Sequence, residues 1–411
     1  MAVAQLQIDG SQEGQGVDVL ISRQAVLDRE LGVRGYRVAY ATLVAGDFLI
    51  PNDRSASRLL ADVFSAVGLD DLVGASRAHL AVSAELLLTV GIPPVPPDRV
   101  ILRVDHETAT DPRLARTLGA LASHGYALAL NAPPGFGFDP ALLEVFSMVE
   151  VDFLVWDDLD AVAAVPRIVA AQCTPLAAGL LDYSEFELAK ALGFDLFTGS
   201  FFASPHVTSG RQVPVGDLST LAALAQLNGE APIEELEQVI NHDLGLSVTL
   251  LRYINSAYFG MRSEIASIRQ ALMMLGSREV SRWALLTALT RGPTAPRELS
   301  VMALTRARMC EQLGAGNSQA GGDELFMIGL LSVADALLDL PLETIVAQLP
   351  LADHVAQALL WQAGPAGSIL GATLAFERGE FDADCLRPYR RAAGLEYRKS
   401  LRVARATVSR L

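Results

Sequence analysis

Apolar and polar positions alternate in two different rhythms along the chain. In the first half, short apolar runs alternate with helical patterns. Strands are predicted at Val17 to Ser22, Tyr36 to Val44, Val100 to Val104, Ala127 to Leu130, Val151 to Trp156, around Pro175 to Gly179, and near Leu196 to Phe202. Between them the 3.6-residue period predicts helices at Ser57 to Val67 and Pro112 to Ser123, after Asp139-Pro140, and from Ser184. Asp111-Pro112 and Asp139-Pro140 have the form of an N-cap followed by proline at N1, and Ser184 with Glu187 has that of a capping box. Strand and helix in alternation predict a parallel α/β sheet, open or closed into a barrel.

Beyond Pro205 to Gly216, which is rich in Pro, Gly and Ser and lacks either period, the pattern is helical only. Its clearest stretch is Asp243 to Gly276. Leu246, Leu250, Leu251 and Ile254 form one apolar face, after which Asn255 and Ser256 end the run. Ser267, three residues ahead of Gln270, opens the next helix, with Ile268, Ala271, Leu272 and Leu275 as its stripe and Gly276 as its stop. The expected division is a loose tail at 1–16, an α/β domain at 17–205, a linker at 206–216, an all-helical domain at 217–391 and a basic terminal helix at 392–411.

Composition narrows the function classes. With 51% hydrophobic and 19% charged residues over 411 positions, a folded protein with real cores is expected. No apolar run reaches the ~20 residues of a membrane span, and MAVAQLQIDGSQEGQG has neither a basic start nor an apolar segment. A cytoplasmic location without membrane contact is the expectation. Cys173, Cys310 and Cys385 are odd in number and widely spaced, so buried reduced thiols are expected. A net charge of −15 argues against general nucleic-acid binding. The exception is the last 26 residues, where eight Arg and Lys, Arg398 and Arg402 among them, face the single acid Glu396.

The stretches LLRYINSAYFG and IRQALMMLG resemble the HDOD domain, a helical relative of the HD phosphohydrolases that lacks their metal-binding residues. In the first half, ISRQAVLDRELGVRGYRVAYA, GYALALNAPPGFG, VDFLVWD and LAKALGFDLFTGSFFASP are similar, in order and spacing, to segments of the EAL domain, the (β/α)8 barrel that hydrolyses cyclic di-GMP. The resemblance implies a degenerate EAL-like barrel followed by an HDOD domain, α/β plus all-α.

That family's two-metal chemistry needs several oxygen ligands at strand ends. At its Glu-Ala-Leu this chain has Arg37, Val38 and Ala39, with Ala41 for the following arginine. The ligand asparagine falls near Val82 or Ser83, and the second ligand glutamate falls on His106 between Asp105 and Glu107. At the paired aspartates stand Asn131 and Ala132. Val155 replaces a lysine, Asp157 keeps its aspartate, Ala178 replaces the later glutamate, and Thr198 the closing glutamine. In the second half the dipeptide His242-Asp243 reads as a helix cap, and the place of the family's His-Asp is held by Ser332-Val333.

The expectation is therefore a non-catalytic regulatory protein, not an enzyme, with no metal and no cofactor, acting through contacts with unidentified protein partners. Asn255, Ser256, Tyr258, Arg398 and Arg402 are its candidate contact residues, and the oligomeric state is left open. The alternative is a receptor that binds cyclic di-GMP or a related nucleotide without hydrolysing it, with His106, Asn131 and Asp157 as candidate ligand-binding residues.

Overall fold

The structure is a computed structural model that describes residues 18–44, 47–49, 69–93, 95–156, 158–204, 215–227, 232–255, 265, 267–290, 296–315 and 321–409. The expected tail at 1–16, the helix at 57–67 and positions 206–214 of the linker lie outside these residues. Val215 and Gly216 already belong to the helix Val215–Leu227. The chain divides into two compact units, Met1–Phe202 with Ala375–Arg398, and Ala203–Leu374 with Lys399–Leu411. A segment near the C-terminus thus joins the first unit.

The first unit is an eight-stranded closed barrel. Its strands are β1 (Asp18–Asp28), β2 (Val33–Val44), β4 (Arg77–Val82), β5 (Val100–Asp105), β6 (Ala127–Ala132), β7 (Met148–Asp152), β8 (Thr174–Leu180) and β9 (Leu196–Gly199), with the short β3 (Asp47–Leu49) added on β2. Neighbours run β1-β9-β8-β7-β6-β5-β4-β2, and the pairing of β2 back onto β1 closes the ring. Strand β1 is antiparallel to both neighbours, while β2 and β4 to β9 are mutually parallel. Closure leaves no edge in the ring, which the alternation of strand and helix alone did not require.

The two faces of each strand follow the period of 2. On β5, Val100, Leu102 and Val104 are wholly buried on the outer face, beneath the helical layer. Ile101 is on the inner face, where it packs with Val26, Ala129, Met148, Leu176 and Ala178 into the floor of the barrel. Several local readings change: the strand expected at Val151 to Trp156 runs Met148–Asp152, and the one expected near Leu196 to Phe202 ends at Gly199. The helix expected from Ser184 runs Tyr183–Leu192 and is capped by Asp182, whose carboxylate accepts from the Ser184 and Glu185 amides. The helix expected at Pro112 begins only at Ala115, because Asp111 is spent on the Arg113 amide and guanidinium. Asp139 caps its helix as the Asp-Pro pair implied, accepting from the Ala141 amide.

Among the described residues, the regular elements of the second unit are all helices. Ser267 caps Ile268–Leu275 and Asp243 caps Leu244–Ile254, each accepting an amide proton three residues on. Helices Arg297–Leu313 and Gly322–Leu331 cross at Gly329, where a Cβ would lie 2.6 Å from the Ala307 Cα. Backbone cannot yield that space, so Gly329→Ala should destabilise the protein by about 1–3 kcal/mol, read as a lower denaturation midpoint. Cys173 and Cys310 are buried as expected, whereas Cys385 is exposed on the short 3-10 turn Asp384–Tyr389, where too little packs over it. Among the described residues no helix is long and apolar enough to cross a membrane.

Candidate functional site

The inward face of the parallel strands turns polar above the apolar floor. Arg37 on β2 sits beside His79 on β4, and Asp105 on β5 pairs with Asn131 on β6, which in turn pairs with Glu150 on β7. The arrangement centres on Glu150. It is 2% exposed and accepts both ends of the Arg103 fork, from Nε and Nη2 at 2.8 Å each, while Arg37 Nη2 approaches at 3.1 Å. Ala129, facing Arg103 across the ladder, is small enough to leave the guanidinium room.

Burial by itself would raise the Glu150 carboxyl, but the guanidinium groups of Arg37 and Arg103 outweigh it and hold the carboxyl below its usual range. Burial also lowers the Arg37 guanidinium, against the pull of Glu150. His79 is pushed down to about 3, first by burial and then by the nearby arginines despite Glu150, so its imidazole is neutral. Gly35 gives it space, since a Cβ there would lie 2.8 Å from His79 Nε2.

The cluster opens on a cavity of about 440 Å³, within the ordinary range for small-ligand sites. Arg37, Arg103 and Asp105 line its inner side, and Ser22 and Tyr40 line its wall. Ser22 is 1% exposed, and its Oγ has no hydrogen-bond partner among the described residues. Arg378, Gly379 and Phe381, from the C-terminal segment of the same unit, complete the lining.

The candidate residues fare differently. Asn131 belongs to the inner face, where its Nδ2 donates to Asp105 at 2.9 Å. His106 does not join it. It starts the short helix His106–Ala109 and turns its ring edge-on to Phe136, centroids 5.1 Å apart, so Asp105 is the carboxylate at the end of that strand. Asp157 lies outside the described residues. Arg37, Arg103, Glu150 and His79 were not selected from sequence as site residues. The signal was present in VILRVD and MVEVD, where Arg103 and Glu150 interrupt apolar strands that end on Asp105 and Asp152.

Among the described residues no three His, Cys, Asp or Glu side chains lie together so as to hold a metal ion. Where the EAL resemblance calls for a carboxylate ligand, the barrel presents the Arg37 guanidinium, itself paired with Glu150.

In the second unit, the Asn255 side chain is engaged locally. Its Nδ2 donates to the Ile265 carbonyl and its Oδ1 accepts from the Ile265 amide, both at 2.8 Å. Ser256 and Tyr258 lie outside the described residues. Arg398 is partly buried and Arg402 exposed on the helix Arg390–Val408. At Ser332-Val333, Arg306 Nη1 donates to the Ser332 carbonyl at 3.3 Å and its Oγ at 3.0 Å. Close by, burial raises the Asp335 carboxyl to about 6 despite the Ala336 amide and Arg306. The folded state keeps a proton that the unfolded chain releases near 3.8, so stability should fall as pH rises from about 4 through about 6. Asp335→Asn should flatten that slope in denaturant melts taken across the window.

Residues 219–338 match the family model of the HDOD domain. The chain is 28% identical to the cyclic di-GMP phosphodiesterase CdgJ of Vibrio cholerae over 377 residues, 88% of this chain and 85% of that protein. It is 27% identical to the uncharacterized protein YuxH of Bacillus subtilis over 353 residues, 83% of this chain and 86% of that one. A solved structure of the Bacillus subtilis YkuI protein, which has an EAL domain, in complex with cyclic di-GMP and calcium is 15% identical at a TM-score of 0.37. That match covers 62% of this chain and 72% of that one. Klebsiella pneumoniae BlrP1 with calcium and cyclic di-GMP is 17% identical at a TM-score of 0.35, covering 44% of this chain and 54% of that one. At such scores the barrel rests on the strand order itself. CdgJ overturns the expectation that the chain is not an enzyme: a protein named as a phosphodiesterase aligns along nearly its whole length.

Proposed function

We propose that this chain, an EAL-type barrel joined to an HDOD domain, is a cyclic di-GMP signalling protein whose barrel mouth receives the dinucleotide on arginines. The observation that carries this reading is the Arg37-Glu150-Arg103 cluster opening on the 440 Å³ cavity. Two guanidinium groups share the Glu150 carboxylate, and of the charged residues lining the cavity Arg23, Arg37, Arg103 and Arg378 outnumber the single acid Asp105. A guanidinium presents a planar fork that fits phosphate oxygens and stays charged at any working pH. Asp105, which lines the cavity and accepts from Asn131, supplies an acceptor of the kind that reads a base edge. The relatedness to CdgJ supports the choice of cyclic di-GMP over other phosphate esters.

Calorimetry on the intact protein tests it, in buffer with a chelator and again with magnesium. Micromolar binding under both conditions is expected, because guanidinium groups rather than bound cations face the phosphates. Absence of heat under both conditions would contradict the proposal. Product analysis in the same samples reads hydrolysis separately from binding.

Action through contact with another protein is a second reading, favoured by Met273 and Met274, 65% and 47% exposed on the helix Ile268–Leu275. Adjacent exposed methionines form an adaptable apolar surface. Replacing both by serine should abolish co-purification of a partner and leave nucleotide binding unchanged; a partner retained at wild-type yield would dismiss this reading.

A further inference from the structure

The cavity wall includes a short stretch that the EAL resemblance does not cover. Arg378, Gly379 and Phe381 close one side of it. Gly379 has φ +78°, and a Cβ on it would lie 2.8 Å from the Ala39 Cβ and 3.5 Å from the unpartnered Ser22 Oγ. The turn is therefore seated directly on β1 and β2. Phe381 is buried and meets Phe376 edge-on at 5.2 Å, and Phe376 in turn packs against Tyr397 at 5.1 Å, which fixes the turn from behind.

Arg378 itself is half exposed, and its fork is occupied by a neighbour: Nε and Nη2 donate to the two Glu380 oxygens at 2.7 Å each. Glu380 lifts the arginine further above its ordinary value, so the group is cationic throughout. An exposed pair two residues apart is held only weakly against water and other acceptors. Two oxygens of a tetrahedral phosphate can accept the same bidentate pair of hydrogen bonds as the carboxylate, so a phosphate competes for the same nitrogens.

We infer that Arg378 is a further ligand-binding arginine of the barrel mouth, held in reserve by Glu380 and handed to a phosphate of the bound dinucleotide, so that Glu380 competes with the ligand. The inference rests on the reading of the mouth as a cyclic di-GMP site. It assigns opposite signs to two adjacent substitutions. Arg378→Ala removes the donor and weakens binding, while Glu380→Gln removes the competing charge and strengthens it. A merely structural role for the turn would make both variants weaker.

The test is calorimetric titration of cyclic di-GMP into the full-length wild type, Arg378→Ala and Glu380→Gln, with circular dichroism melts as the check on folding. Affinity should fall about tenfold in Arg378→Ala, as for loss of one charge-assisted bidentate contact, and rise about threefold in Glu380→Gln. Unchanged affinity in both, or weaker binding in both, would overturn the role of Arg378 while leaving the mouth as the site. A wild type that gives no heat would overturn the mouth as a dinucleotide site and this inference with it.

Discussion

Glu150→Ala is expected to destabilise the protein by about 3–5 kcal/mol, the loss typical of removing one partner from a buried ion pair. Two guanidinium groups converge on this carboxylate inside the barrel, and deleting it leaves both beside a neutral imidazole that offers them no charge. Removal of one arginine should cost less, since Glu150 would keep the other. The pH dependence has a definite sign. The Glu150 carboxyl is depressed in the folded barrel, so its contribution is present above the value of the unfolded chain and is lost as pH falls through the folded one. Denaturant melts should therefore lose stability on acidification below about pH 4.5, and Glu150→Ala should remove that part of the slope. An Ala variant as stable as the wild type would mean that the cluster is not what closes the barrel interior.

Arg37→Ala is expected to weaken cyclic di-GMP binding about 100-fold, roughly 2.7 kcal/mol, the upper range for a charged hydrogen-bonding donor facing a phosphate. Its fork is the less occupied of the two, because Arg103 gives both Nε and Nη2 to Glu150 while Arg37 gives Nη2 at 3.1 Å. Arg37→Lys keeps the charge without the planar fork, so its affinity should fall between those of wild type and Ala. Equal affinity in all three proteins would separate Arg37 from the ligand. The fold should survive both substitutions, because Arg103 retains its bidentate pairing.

The architecture was legible where one residue decides one local outcome. Asp139, Asp243 and Ser267 cap the helices that their spacing indicated, since a side-chain oxygen two or three residues ahead of an amide is a local matter. Closure of the sheet was not legible in the rhythm alone, because it depends on β2 returning to β1. Strand β4 was missed for a related reason: Arg77 and His79 interrupt its apolar run, and only the barrel interior makes an inward histidine sensible.

The same cause hid the polar cluster. Arg37, His79, Arg103 and Glu150 are scattered over more than a hundred positions, and each alone reads as a charge in a strand. Aligning the EAL resemblance by position led to His106, whereas the strand's inward period selects Asp105, one residue earlier. The same alignment led to Asn131, which lies on the inward face of β6 opposite Asp105. Arg378 gave no signal, because its place at the mouth depends on a turn held against Ala39 from a remote part of the chain.

Hydrogen exchange on the intact protein, with and without saturating cyclic di-GMP, tests the arginine-lined mouth most directly. Protection is expected to concentrate in the amides of Arg37 to Tyr40, Arg103 to Asp105 and Arg378 to Phe381, the arginine-bearing stretches among those that border the cavity, together with Ser22 to Gln24 and Ala81 to Ser83. Protection confined to other segments, or none at saturating nucleotide, would contradict the account.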